Sequence, residues 1–149
     1  MPYEFKAIRR VEFSETDMAG LMHFSNYFRF MEAAEQSFLR SLGLSVFKSG
    51  DPPLSWPRVH AECDYKLPLY FEDEVEIHLI VAEMKLKALT YVFKFRRLNA
   101  TPPVQVARGV LTAVCVKHTE DGGMAACSIP KIVTDKIQTA PVELLKIGN

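Results

Sequence analysis

Val11-Glu12-Phe13-Ser14-Glu15-Thr16-Asp17-Met18-Ala19-Gly20-Leu21-Met22-His23-Phe24-Ser25-Asn26-Tyr27-Phe28-Arg29-Phe30-Met31-Glu32 joins the end of an apolar strand, a short polar turn and the head of an unusually apolar helix. The turn carries Asp17. A carboxylate at a strand-to-helix junction faces the free backbone N–H groups and the positive dipole end of the incoming helix. That setting keeps it ionised, or sets it beside donors that can bind a developing oxyanion. A plain turn aspartate bonded to its own backbone is the competing reading, and the surrounding sequence decides between them.

Downstream, Tyr27, Met31, Ala34 and Phe38 recur at helical spacing between Phe24 and Leu42, and Phe28, Phe30, Leu39 and Leu42 add a second apolar face. Only a strip of Arg29, Glu32, Gln36 and Arg40 is reliably polar, which predicts a helix enclosed on most sides. Gly43 supplies its stop signal. Upstream, Phe5 to Phe13 reads as a first strand. After the connection Ser49-Gly50-Asp51-Pro52-Pro53, a strand is expected from Arg58 to Tyr65. Val75, Ile77, Leu79 and Val81 then alternate with Glu74, Glu76 and His78, and Leu89, Tyr91, Phe93 and Phe95 alternate with Thr90, Lys94 and Arg96. Val104 to Lys117 completes the series as one long strand. A strand, a long helix and four strands make an α+β order, satisfied by one five-stranded antiparallel sheet wrapped around one long central helix. With no internal repeat, low-complexity tract or linker, residues 1–149 read as a single domain.

Composition narrows the function classes. Lys plus Arg and Asp plus Glu both total 18, so net charge gives no reason to expect nucleic acid as a partner. The N-terminus lacks the apolar core of a signal peptide and no stretch is long enough to span a bilayer, so a cytoplasmic protein is expected. Cys63, Cys115 and Cys127 are odd in number and lie in strand-like or apolar settings, which suits reduced packing residues. His23, His60, His78 and His118 are scattered without metal-ligand spacing, and no metal site is expected. His60 and Cys63, three apart on a strand, point to opposite faces and make no catalytic pair. No G-x-S-x-G elbow, P-loop or dinucleotide fingerprint occurs.

The opening stretch resembles the signature of the 4-hydroxybenzoyl-CoA thioesterase family of hotdog-fold proteins: a strand, the Glu15-x-Asp17 turn, Gly20, a His-containing segment, then Asn26-Tyr27 opening a long helix. The resemblance continues through Asp64-Tyr65-x-x-Pro68, Asp73 and Ile129-Pro130, and so spans almost the whole chain. It implies the hotdog fold and an acyl-CoA thioesterase, hydrolysing a thioester to free acid and CoA without a cofactor. Asp17 would be nucleophile or general base, and the backbone N–H of Phe24 at the helix start would polarise the carbonyl. Gly20 fits that picture as a residue able to take φ > 0 and admit a ligand close to the backbone. His23 is a candidate substrate contact, although some relatives carry their histidine one position later, where Phe24 stands here. Glu35 also departs from the pattern, since several relatives place Arg three residues after the glutamate that matches Glu32.

Lys85 and Lys87, in the turn Met84-Lys85-Leu86-Lys87-Ala88, match a basic cluster that contacts the CoA phosphates in the resembling family, with Arg96 and Arg97 as a second choice. Failing both, an acyl carrier protein becomes the alternative thiol carrier. Phe24, Tyr27, Phe28, Met31 and Trp56 are candidates to line an acyl or aromatic pocket, or are plain core. Two other functions stay open: a hotdog hydratase or dehydratase, which needs a histidine paired with a carboxylate, and a noncatalytic acyl-thioester-binding module. The resemblance further implies a homodimer or homotetramer, joined edge to edge through the sheets.

Overall fold

Alternating β-branched and aromatic residues build the sheet, and one amphipathic helix covers a face of it. The computed structural model describes residues 2–44 and 54–146. Among them run β1 (Glu4–Arg10), α1 (Asn26–Ser41), β2 (Arg58–Tyr65), β3 (Glu74–Met84), β4 (Ala88–Arg97), β5 (Val104–Val114), β6 (Val116–His118), β7 (Met124–Ala126) and α2 (Lys131–Thr134). The main sheet has the order β1-β3-β4-β5-β2, antiparallel at every pairing, with β6 and β7 as a separate hairpin. Tyr27, Phe30, Met31, Ala34, Phe38 and Leu39 of α1 are buried in one cluster with Ile77, Leu79, Tyr91, Phe93, Phe95 and Val106 from the central strands. Gly109 permits the close approach of helix and sheet, because a Cβ there would overlap the Met31 side chain. This is the sheet around one helix that the pattern predicts, and the hotdog architecture that the resemblance implies. No described helix is long and apolar enough to cross a membrane.

Three boundaries differ from the expectation from sequence. The first strand stops at Arg10, opposite Glu74, the first residue of β3. Beyond it, Phe13–Glu15 forms a 3-10 turn instead of strand. The helix begins at Asn26, not Phe24, since the first turn is closed by the Asn26 N–H donating to the His23 carbonyl at 2.9 Å. The long last strand breaks at Cys115: its N–H still donates to the Lys87 carbonyl at 2.8 Å, but Val116 turns to Ser55 and exchanges bonds of 2.9 and 3.0 Å with it. The connection expected at 49–53 lies outside the described residues. Cys63, Cys115 and Cys127 are free thiols, and burial pushes those of Cys63 and Cys115 up to about 12.

A buried ion pair ties the helix to an edge of the sheet. Glu35, 2% exposed on α1, is paired with Arg58 at the head of β2, with one of its two hydrogen bonds at 3.0 Å. Burial holds the Glu35 carboxyl above the usual carboxylate range, opposed by the Arg58 guanidinium. Removing the cation leaves that carboxylate buried alone. Arg58→Ala is therefore expected to lower stability by about 3 kcal/mol at pH 7. Glu35 binds its proton more tightly folded than unfolded, so the loss should shrink as pH falls and the carboxyl protonates. Urea unfolding of both proteins at pH 7 and pH 5 checks this.

Candidate active site

The polar turn is folded back onto the head of α1 by a dense set of backbone bonds. The Glu12 N–H donates to Glu15 Oε1 at 2.8 Å. The Glu15 carbonyl accepts from both the His23 N–H and Asn26 Nδ2, each at 2.8 Å. Inside that loop the Asp17 N–H donates to the Leu21 carbonyl at 2.7 Å and the Gly20 N–H to the Asp17 carbonyl at 3.0 Å. Gly20 sits at φ +83°, the left-handed region that glycine enters without steric cost.

These contacts aim the Asp17 carboxylate. Oδ1 accepts from the Ala19 N–H at 2.9 Å and the Leu21 N–H at 3.1 Å, while Oδ2 has no partner among the described residues. One oxygen anchors the group and the other is available. Across the same opening, the Phe24 N–H has no acceptor among the described residues, whereas the Phe24 carbonyl accepts from Tyr65 Oη at 3.0 Å. Asp17, Met22, Phe24, Tyr27, Tyr65, Lys66, Leu67 and Pro68 line one cleft of about 330 Å³. Tyr27 forms its floor, buried and set edge-on to Tyr65 (centroids 4.8 Å) and to Phe95 (5.3 Å). Burial raises the Tyr27 phenol to about 12, so it stays protonated at neutral pH.

The remaining sequence candidates separate. His23 faces a shallower depression that shares Asp17 and is otherwise lined by Phe13, Ser14, Thr16 and Met18. Its ring stacks on Phe24, centroids 4.5 Å apart, and its Nδ1 is engaged by Ser25. Gly20 shapes the turn and is not among the cleft-lining residues. Glu15 is occupied locally, with Arg9 at 3.9 Å. Met31 is wholly buried, and Trp56 borders a separate core cavity of about 20 Å³ beside Glu35 and Tyr91, with room for little more than a water. Asp73 is structural, accepting from the Tyr70 N–H at 2.7 Å and from Asn99 at 2.9 Å.

Lys85 and Lys87 lie at the far end of β3 from the cleft, roughly 30 Å away by strand rise. One chain therefore does not bring them to its own Asp17. Nearer is Arg97, donating to the carbonyl of cleft-lining Pro68 at 3.4 Å. Lys66 and Tyr65 are cleft residues that sequence reasoning misses. The motif Asp64-Tyr65-x-x-Pro68 is their signal, since it brackets the segment that forms one cleft wall.

Fold and cleft together define a hotdog protein with a carboxylate and a free amide at the head of its helix. The chain belongs to the thioesterase-like superfamily, whose family model matches residues 11–142. A crystallised protein from Aquifex aeolicus is 34% identical over 90% of this chain and 99% of its own, with a TM-score of 0.79. A gentisyl-coenzyme A thioesterase is 30% identical over 89% of this chain and 98% of its own, at a TM-score of 0.73. The 1,4-dihydroxy-2-naphthoyl-CoA hydrolase of Prochlorococcus marinus (strain NATL1A) is 30% identical over 64% of this chain and 70% of its own length.

The turn geometry makes Asp17→Asn conservative for folding. An asparagine Oδ1 accepts the same two N–H bonds, so its melting temperature is expected within about 2 °C of wild type. Asp17→Ala removes the oxygen that accepts both bonds and should cost about 1 kcal/mol. Thermal unfolding of the two variants side by side checks this, and an equal loss in both would contradict the assigned bonds.

Proposed function

We propose that the protein is an acyl-CoA thioesterase, hydrolysing a thioester to a free acid and CoA. The observation that carries this reading is the pairing of a half-anchored Asp17 carboxylate with the unpartnered Phe24 N–H on the walls of one cleft. Thioester hydrolysis needs both parts: a base or nucleophile, and a donor where charge grows on the carbonyl oxygen. Asp17 Oδ2 either attacks the carbonyl carbon, giving on loss of the thiolate an anhydride that water then hydrolyses to the acid, or takes a proton from a water that attacks directly; the Phe24 N–H receives the developing oxyanion. The thiolate leaves as CoA. This chemistry calls on no group beyond the chain, water and the thioester itself. Aromatic walls from Phe24, Tyr27 and Tyr65 suit an aromatic acyl group, and both named relatives act on aromatic CoA thioesters by name.

Asp17→Asn is the direct test. Loss of a general base or nucleophile costs on the order of 10² to 10⁴ in rate, so release of free thiol from a panel of aromatic and aliphatic acyl-CoAs should fall by that order. Turnover within about threefold of wild type would overturn the role of Asp17. Thiol release also separates this reading from a hydratase, which changes enoyl absorbance without freeing thiol, and from a binding module, which does neither.

We further infer that the working unit is a dimer made through β2. That strand is an edge of the sheet, with exposed Val59 and Tyr65, and edges of this kind invite pairing. Two-fold pairing sets β2 antiparallel to its copy. The Arg58 end of β2 adjoins the Lys85–Lys87 turn, because Arg58 stands opposite Ala113 and Ala88 opposite Val114. Antiparallel pairing therefore carries the partner subunit's Lys85 and Lys87 toward this chain's Asp17 cleft, where they would meet CoA phosphates. Lys85→Ala with Lys87→Ala is expected to raise KM at low salt far more than it lowers kcat. Mixing that variant with Asp17→Asn should then regenerate activity, since hybrid dimers hold one complete site. An unchanged KM would move phosphate recognition to Arg96, Arg97 and Lys66, or to an acyl carrier protein.

A further inference from the structure

The Phe24 N–H lies in the His23–Phe24 peptide plane, which is joined through the Phe24 Cα to the Phe24–Ser25 plane, and both planes are held. In the first, the His23 carbonyl accepts from the Asn26 N–H at 2.9 Å. In the second, the Phe24 carbonyl accepts from Tyr65 Oη at 3.0 Å, and the Ser25 N–H donates to His23 Nδ1 at 3.2 Å. Of the four backbone polar groups around Phe24, three are engaged and only its own N–H is left open. Rotation of the first unit would break its bond to Asn26 and turn the Phe24 N–H, and the bonds on the second unit hold the frame on which the first turns.

Two side chains close this arrangement, and neither needs to touch substrate. A backbone N–H can only donate, so the His23 Nδ1 carries its lone pair toward Ser25, and the proton of the neutral ring is on Nε2. Ser25 Oγ, 2.8 Å from the same nitrogen, adds a second restraint. The ring is further fixed by its stack on Phe24 at 4.5 Å and 26°. Tyr65 approaches from the opposite side, from the last residue of β2. Its phenol, pushed up to about 12 by burial and by Cys63, keeps the proton it donates.

We propose that His23 and Tyr65 are positioning residues that grip the Phe24–Ser25 peptide unit from its two ends and so aim the Phe24 N–H at the carbonyl oxygen of the substrate. The role rests on the thioesterase reading given above, and it makes His23 an anchor of the backbone instead of a proton carrier or a substrate contact.

Three variants and one spectrum test it. His23→Phe keeps an aromatic ring over Phe24 but removes the acceptor. Its kcat should fall about tenfold with KM within about twofold, because a misaimed donor weakens an interaction made in the transition state. His23→Asn places an Oδ1 acceptor where helix caps use one and should recover kcat to within about threefold of wild type. Tyr65→Phe should behave like His23→Phe. Wild-type kcat in His23→Phe overturns the proposal, and so does a His23→Asn variant no better than His23→Phe, which would mark proton transfer at this residue. Nitrogen NMR of labelled histidine supplies a readout independent of turnover: the His23 Nδ1 should show the unprotonated signature and a coupling to the Ser25 amide. A protonated Nδ1 in the neutral ring overturns the proposal even if hydrolysis is efficient. Should the NMR signature be present while Asp17→Asn keeps full turnover, the thioesterase reading of the site fails and the backbone anchor stands.

Discussion

The Glu15 carbonyl oxygen is the point on which the site depends. It accepts two hydrogen bonds, one from the His23 backbone and one from the Asn26 side chain, and so bends the chain between them into a closed loop against the helix head. Asn26 is almost fully buried, so its bond is shielded from water and is costly to leave unmade. Without this clip, nothing would hold the Asp17 turn against the helix head, and Phe24 would be an ordinary residue before a helix. With it, a carboxylate and an amide that lie seven residues apart in sequence share the wall of one cleft.

The sheet contributes the opposite wall and a reason for its placement. Tyr65 ends β2, one of the two edge strands of the main sheet, and Lys66, Leu67 and Pro68 follow directly from it. The Glu35–Arg58 pair fastens the other end of that strand to the middle of α1. An edge strand held at one end by a buried ion pair and at the other by the Tyr65 bond to Phe24 keeps its register on the helix while leaving its free edge unpaired. Placing the cleft at an edge explains how a second copy of the chain would complete it. The same placement explains why Lys85 and Lys87, matched on sequence to a CoA-contacting cluster, stand at the wrong end of their own chain.

Catalysis by a backbone amide shifts the burden of precision from side-chain chemistry to conformation. On the proposed reading, nothing about Phe24 as a residue type marks the role, because its exposed ring contributes stacking and lining while the N–H would receive the oxyanion. What must be right is the orientation of two peptide units, and a free donor at a helix start is worth most where it is held before the substrate arrives.

Much of this is readable along the chain. Period-two alternation marks β3 and β4, because a strand with one buried face repeats its pattern locally, and the strand expected from Arg58 to Tyr65 matches β2 at both ends. Helical spacing marks α1, and the motif around Asp17 marks the site, since both are short-range features. The pattern cannot show where a ladder ends, at Arg10 for β1 and at Val114 for β5, because that depends on where the facing chain turns away. Nor can it pair Glu35 with Arg58, 23 residues apart, or join Tyr65 to the Phe24 carbonyl, 41 residues away. Residue type and spacing set which surfaces are apolar and which turns are tight. The partners of individual polar atoms were decided only when the sheet closed over the helix, because a hydrogen bond is specified by position in space and carries no period in the sequence.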